Sequence, residues 1–409
     1  MPEAPPHVAA VHRLDSQNAN RLWQWLLVRQ GVGSTVGHVS VPDIADAALG
    51  LHAARLASPF ATLLARAATP EVALHLWHPA THEAVTTVRC MRKTLHTLPL
   101  GLAAAAHAAT LHYRERDARR QIFNAGLSVR LIERTTTAIR ALLTDQDHLP
   151  HRSIEERLAS GSTTVAAIRL ALKLAWEQGL LTYRNRSPGW NRERRTFALT
   201  ATTHPHLDMN LDRTVATDRL VAAYFDRYGP ASLRDVTWWS GLSRAGILAA
   251  LDRIGQPLVA VHTPWSPAPL YMFHRRLMEF DQASVAHRPA AEPVLLAHED
   301  VALKAYAETR TRYLGNLDQR LAFNQIGEAL PTIVLAGRVA GTWGWDTRTR
   351  AVTYTLFRGH VAAADRPGVR RAAQRVTAAL RQRYDDGTRT THHPPAHQQP
   401  ARLVASPTP

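Results

Sequence analysis

A single cysteine, Cys90, stands in 409 residues. That excludes an intramolecular disulfide and any zinc or iron–sulfur centre built on cysteine. Lysine is almost as scarce: Lys93, Lys173 and Lys304 are the only ones, so nearly all positive charge is arginine. No apolar run approaches the ~18 residues that a membrane span needs. The N-terminal MPEAPPHVAAVHRLD lacks the charged start and apolar core of a signal peptide, which predicts a soluble, cytoplasmic protein. There is no HExxH, no phosphate-cradling glycine loop and no nameable Ser-His-Asp set. No metal and no cofactor is therefore expected, and any catalysis must come from a site without a generic fingerprint. The 22 histidines are scattered; His392, His393 and His397 fall in a proline- and threonine-rich tail that reads as disordered.

What the chain does have is basic charge. Forty-nine basic against 33 acidic residues give +16, which points to an acidic partner, nucleic acid or an anionic membrane surface. Arginine's planar fork suits phosphate and guanine contacts, although a GC-rich genome would also favour arginine over lysine. The charge concentrates in Leu172–Thr200. This stretch reads as the end of an amphipathic helix, a glycine stop, a strand, an arginine-loaded loop and a second strand. That is the layout of a winged helix, whose hairpin tip reaches phosphates. Arg184, Arg186, Arg192, Arg194 and Arg195 face one acid there, Glu193. Guanidiniums crowded on one turn repel each other unless a polyanion is near, and duplex DNA is such a polyanion. Trp190 among them could stack on a base or pin the hairpin to its own protein. A membrane-surface role fits poorly, because the arginines sit on a hairpin tip and not along an amphipathic helix.

The same helix–helix–hairpin pattern recurs without residue-level repetition, so the expected fold class is α+β: tandem winged-helix units with a C-terminal β-rich element. The expected units are 14–110, 115–205 and 210–285, then a β-rich region and helix at 290–384 and a disordered tail at 385–409. Residues 1–13 read as a loose leader. In the first unit, Arg89, Arg92, Lys93 and His96 form a second basic cluster, with DNA contact or structural pairing as its alternatives. In the third, Ser232 and Asp235 form a capping-box-like pair, Ser243 opens the next helix and Gly255 ends it. One of the adjacent Trp238 and Trp239 should pack inward while the other covers a neighbouring element. PTIVLAGRVAGTWGWDTRTRAVTYTLF alternates apolar and polar residues, as an antiparallel meander does. Pro367 to Tyr384 reads as a last amphipathic helix. His52 and Arg55, in GLHAARLASP, would share a helix face if the helix before them continues.

Several segments in order resemble the winged-helix family related to AlkZ and YcaQ, bacterial DNA glycosylases that remove alkylated bases and unhook interstrand crosslinks. They are WQWLLVRQGV, GLHAARLASPFATLLAR, VRCMRKTLHTLP, the winged stretch 162–200, YGPASLRDVTWWSGL and GRVAGTWGW. The resemblance covers roughly residues 20–360. It implies tandem winged units around duplex DNA and a monomeric, nucleoid-associated enzyme without metal or cofactor. Family members carry a Gln-x-Gln or Gln-x-Asp pair that positions the attacking water; here the first position is His52 and the second is Ala54. His52 is accordingly the candidate catalytic residue, holding water by accepting its proton, and Arg55 the candidate grip on an adjacent phosphate. The expected substrate is double-stranded DNA carrying alkylated or crosslinked purines. The altered pair keeps open a non-catalytic alternative, a winged-helix regulator or lesion-binding factor. A regulator would usually dimerise, and no dimerisation helix is evident.

Overall fold

The computed structural model describes residues 4–33, 38–77, 79–187, 189–283 and 292–386. Three sheets organise them. The largest has six strands in the order Leu51–His52, Leu95–Pro99, Val85–Arg89, Leu181–Asn185, Arg195–Leu199, Leu149–Pro150, paired antiparallel throughout. The hairpins of the first two expected units are therefore joined into one surface. The seam is narrow, with Thr87 opposite Tyr183 as its one backbone pairing.

A three-stranded sheet places Val8–Arg13 parallel to Leu258–Thr263, which pairs in turn with Ser266–Phe273. The expected loose leader is thus a sheet strand from Val8 onward. Its partner lies some 250 positions away, which no local pattern reveals. The expected meander is present as an open four-stranded sheet, Val294–Leu296, Thr332–Leu335, Arg338–Asp346 and Ala351–Leu356, with helix Arg366–Gln382 packed on it.

Helices bind the sheets together. Ser16–Arg29 buries Ala19, Leu22, Trp23, Trp25, Leu26 and Leu27. The 25-residue helix Leu100–Asn124 packs on Val165–Glu177 and Arg213–Tyr228, and its alanines 103–106, 108 and 109 are all buried. Small side chains on that stretch let neighbouring helices approach closely. Ser232 and Asp235 do form a reciprocal capping box at Leu233–Ser240, and Ser243 and Gly255 cap Arg244–Ile254. Asp235 does more: its carboxylate also accepts from the amides of Ala307 and Glu308, both at 2.7 Å, and from the Thr309 hydroxyl at 2.8 Å. That one carboxylate ties the helix to the strand-poor segment 306–309.

Buried ion pairs make the long-range ties. Arg66 and Asp300, both fully enclosed, meet in a two-pronged bond at 2.9 and 2.7 Å. Arg114 donates to Glu177 at 2.6 Å, with both side chains buried. Removing one member of such a pair strands a charge in low dielectric, so these pairs fix the arrangement whatever they add to net stability. Of the expected tail, Asp385 and Asp386 are described. Asp385 is 2% exposed and its amide donates to Asn191 at 2.7 Å, so order extends through it; the remainder of the tail lies outside the described residues.

Candidate active site and nucleic-acid interface

His52 lies on the edge strand Leu51–His52, and not on a helix. The pairing with Arg55 on one helix face therefore does not form. Gly50 makes the entry possible: its φ is +104°, and a Cβ there would fall 2.4 Å from a Leu98 methyl. The strand register sets His52 directly opposite His96, their rings perpendicular with centroids 5.5 Å apart. His52 is 5% exposed and its Nδ1 has no hydrogen-bond partner. His96 Nδ1 stands 3.5 Å from both Cys90 Sγ and Thr94 Oγ1.

Both imidazoles are held neutral. Burial, reinforced by His96, His298, Lys304 and Arg92, pushes His52 down to about 2. Burial lowers His96 to about 4, with Arg92 and Lys304 adding to it. Lys304 itself is depressed to about 8 by burial, against the opposing pull of Glu299, which it meets at 2.6 Å. Around Trp238 the cations converge: Arg92 at 4.0 Å, Lys304 at 5.2 Å and Arg310 at 5.6 Å from the ring. Trp239 is buried while Trp238 is half-buried, the division expected of adjacent tryptophans.

A cleft of about 350 Å³ opens where Arg55, Ser58, His298, Asn324, Glu328, Trp343 and Trp345 come together. Glu328 accepts from Arg55 at 3.2 Å and from Asn324 at 2.9 Å, and lies 3.5 Å from His298 Nε2. His52 does not border the cleft; His298, whose charge bears on it, does. Glu299, His298, Lys304, Asn324 and Glu328 went unnoticed in the sequence. The run His298-Glu299-Asp300, directly after an apolar strand, was the one available signal, since three ionisable groups seldom follow a buried strand unpaired.

The basic residues divide into two groups. In the first hairpin, Arg89 bonds Glu177 at 2.7 Å and the Lys93 carbonyl at 2.9 Å, with its guanidinium over Trp176. Arg92 lies on Trp238, and Lys93 is paired with Asp117. His96 is 7% exposed and directed into the protein, so the expected phosphate contact does not suit it. Trp190 corrects in the same way. It is 5% exposed, donates from Nε1 to the Leu380 carbonyl at 2.8 Å, and meets Trp345 and Tyr384 edge-on. It pins the arginine-rich hairpin to the C-terminal helix. Gly189 allows this approach, because a Cβ there would lie 2.6 Å from Asp385 Cβ.

The second group is the arginine-rich hairpin itself. Arg192 and Arg194 are exposed and make no side-chain hydrogen bond or ion pair among the described residues. Arg186 has a distant partner, Asp147 at 3.7 Å. Arg195 bonds Glu193 at 2.8 Å and lies over Tyr183 and Trp176. Arg184 is half-buried with no carboxylate in hydrogen-bond reach among the described residues, its pKa lowered by burial and then by Arg186. Among the described residues no group of three His, Cys, Asp or Glu side chains is placed to hold a metal, and no helix is long and apolar enough to cross a membrane.

This arrangement has a solved counterpart. The Streptomyces sahachiroi DNA glycosylase AlkZ superposes with a TM-score of 0.69 at 18% identity, covering 88% of this chain and 96% of its own. At that identity the likeness is one of fold. The family model of the AlkZ-like DNA glycosylases matches residues 45–379, and the chain belongs to that family. No curated protein sequence matches it.

Proposed function

We propose that the protein is a monofunctional DNA glycosylase that removes alkylated or crosslinked purines from duplex DNA by water attack at the sugar C1′. The observation that carries this reading is His52: a buried, neutral imidazole with a free Nδ1, at the family's water-positioning place. An N7-alkylated purine is already cationic, so it leaves with the bonding electrons and needs little acid catalysis. What remains is to expose the nucleotide, tolerate positive charge at the sugar and place water. In the tautomer that leaves Nδ1 unprotonated, His52 accepts a hydrogen bond from that water. Its weak basicity is no obstacle, because water bonded to an oxocarbenium carbon is strongly acidic and releases its proton readily. Lys304 would oppose that sugar charge, and its bond to Glu299 tempers this. No metal and no cofactor enters the scheme.

In the same reading Arg55, 61% exposed at its side chain beside Glu328, grips a phosphate next to the lesion. Arg186, Arg192 and Arg194 meet the flanking backbone, and the protein works as a monomer on DNA in the cytoplasm. Arg89, Arg92, Lys93, Arg184 and Arg195 contribute to the positive field, most of them while bound within the protein.

One observation favours the non-catalytic alternative: Ala54, in the second position of the motif, is exposed and offers no polar atom. Base release decides between them. A labelled duplex with one N7-methylguanine, treated with alkali after incubation, should break at the lesion. Salt-sensitive binding without breakage, for a bulky or crosslinked adduct as well, would move the reading to a lesion-binding factor.

A further inference from the structure

The short turn Gln319–Leu321 and the loop that follows it present two apolar side chains to solvent, Leu321 at 44% and Ile326 at 74% exposure. Single apolar residues on a surface need no explanation. Ile326 differs in how firmly it is held and by which groups. The Asn324 side-chain oxygen accepts from the amides of Ile326 at 3.1 Å and Glu328 at 2.8 Å, closing the loop on itself. Phe323 and Ala329 pair across its base. Lys304 Nζ donates to the Gly327 carbonyl at 3.3 Å, and Glu299 accepts from the Ala329 amide at 2.6 Å. Arg55 holds Glu328 from the other side.

The loop is therefore fastened by Lys304, Glu299 and Arg55, and of these Lys304 also bears on His52. Ile326 at its tip is held by these bonds, and two exposed arginines belong to the same region, Arg55 bonded to Glu328 and Arg320 in the preceding turn. An isoleucine fixed in water gains only when it meets an apolar surface. The surface that a basic rim brings to it is the stacked bases of a duplex, and apolar side chains of this size do separate base steps.

We propose that Ile326 is a wedge that enters the duplex at the lesion and fills the space vacated when the damaged nucleotide leaves the stack. This rests on the glycosylase reading, since an enzyme acting at C1′ must expose its nucleotide. Placing the wedge on groups continuous with the site couples the two events. The nucleotide moves toward His52 as the isoleucine takes its place.

The test uses a short duplex that already holds a tetrahydrofuran abasic site, with 2-aminopurine as the adjacent base. Binding of the full chain should raise 2-aminopurine fluorescence at least about twofold, because an intruding side chain unstacks it. Ile326→Ala should bind this duplex but lose the rise, and Ile326→Leu should keep it. An equal rise with Ile326→Ala, or no rise with the unaltered protein, overturns the proposal. Exposure of Ile326 makes misfolding of these variants no concern, and circular dichroism would verify it. Because the abasic duplex needs no base excision, this readout stands apart from the N7-methylguanine assay. Failure of base release with the Ile326-dependent rise intact would overturn the glycosylase reading and leave the wedge standing.

Discussion

Two basic hairpins lie in one sheet, and they use their charge in opposite ways. In the Val85–Pro99 hairpin every basic side chain is spent inside the protein: Arg89 on Glu177, Arg92 on Trp238, Lys93 on Asp117, with His96 buried. In the Leu181–Leu199 hairpin, Arg192 and Arg194 have no side-chain partner among the described residues and Arg186 only a distant one. By composition the two look alike. A cation is a candidate for an interface when the fold leaves it unmatched, so the second hairpin is the one proposed to meet phosphates. Trp190 adds to the contrast by holding that tip still, which lowers the ordering cost of contact.

The comparison can be broken most severely at Glu177, which receives both Arg89 and the enclosed Arg114. Glu177→Ala leaves a buried guanidinium unmatched, and denaturant unfolding should show a loss of about 3–5 kcal/mol. A loss under about 1 kcal/mol would mean the first hairpin does not depend on internal pairing. Trp190→Ala should cost a similar or slightly smaller amount, about 3–4 kcal/mol. It should also expose residues 186–194 to limited proteolysis, whereas an uncut hairpin would show that the latch is not what fixes the tip.

Acid should act next, through the buried histidines. The folded protein binds protons at His52 and His96 more weakly than the unfolded chain does. The stability that neutrality confers is full above the ordinary pKa of 6.5 and drains as pH falls toward about 4 for His96 and about 2 for His52. Each group can remove up to about 1.4 kcal/mol per pH unit over its window. Unfolding at pH 7 and pH 5 should show the loss, and His96→Gln should recover part of it. The second hairpin has no histidine between Leu181 and Leu199, but His82 and His204 near its Arg184 are lowered to about 4, chiefly by burial, and add to the loss. The smallest effect on the fold falls on the free arginines. Arg192→Ala with Arg194→Ala should leave stability within about 0.5 kcal/mol while flattening the salt dependence of duplex binding by roughly 1.8 in log–log slope. An unchanged slope would remove these arginines from the interface.

The sequence made the local devices readable. The capping box at Ser232, the stop at Gly255, the Leu172–Thr200 helix and hairpin and the alternating C-terminal strands each carry their signal within a few residues. What escaped it was pairwise and distant. Val8–Arg13 is a strand because Leu258–Thr263 lies beside it, and VAAVHR alone does not say so. Trp190 was readable as base stacker or anchor, and only the position of Leu380 and Tyr384 decides between them. The candidate site followed the same rule: His52 was proposed through the family resemblance, whereas Lys304, Glu299 and Glu328 enter because folding brings them from about 250 residues away. The internal use of Arg89 and Arg92 was invisible for that reason too.

The most direct measurement is single-turnover release of N7-methylguanine from duplex DNA by the unaltered protein and by His52→Ala, with duplex affinity measured for both. The account predicts base release by the first, a fall of at least about 100-fold in the second, and nearly equal affinity. Release by His52→Ala at an unchanged rate would contradict it and would move the placement of water to the Glu328 cleft.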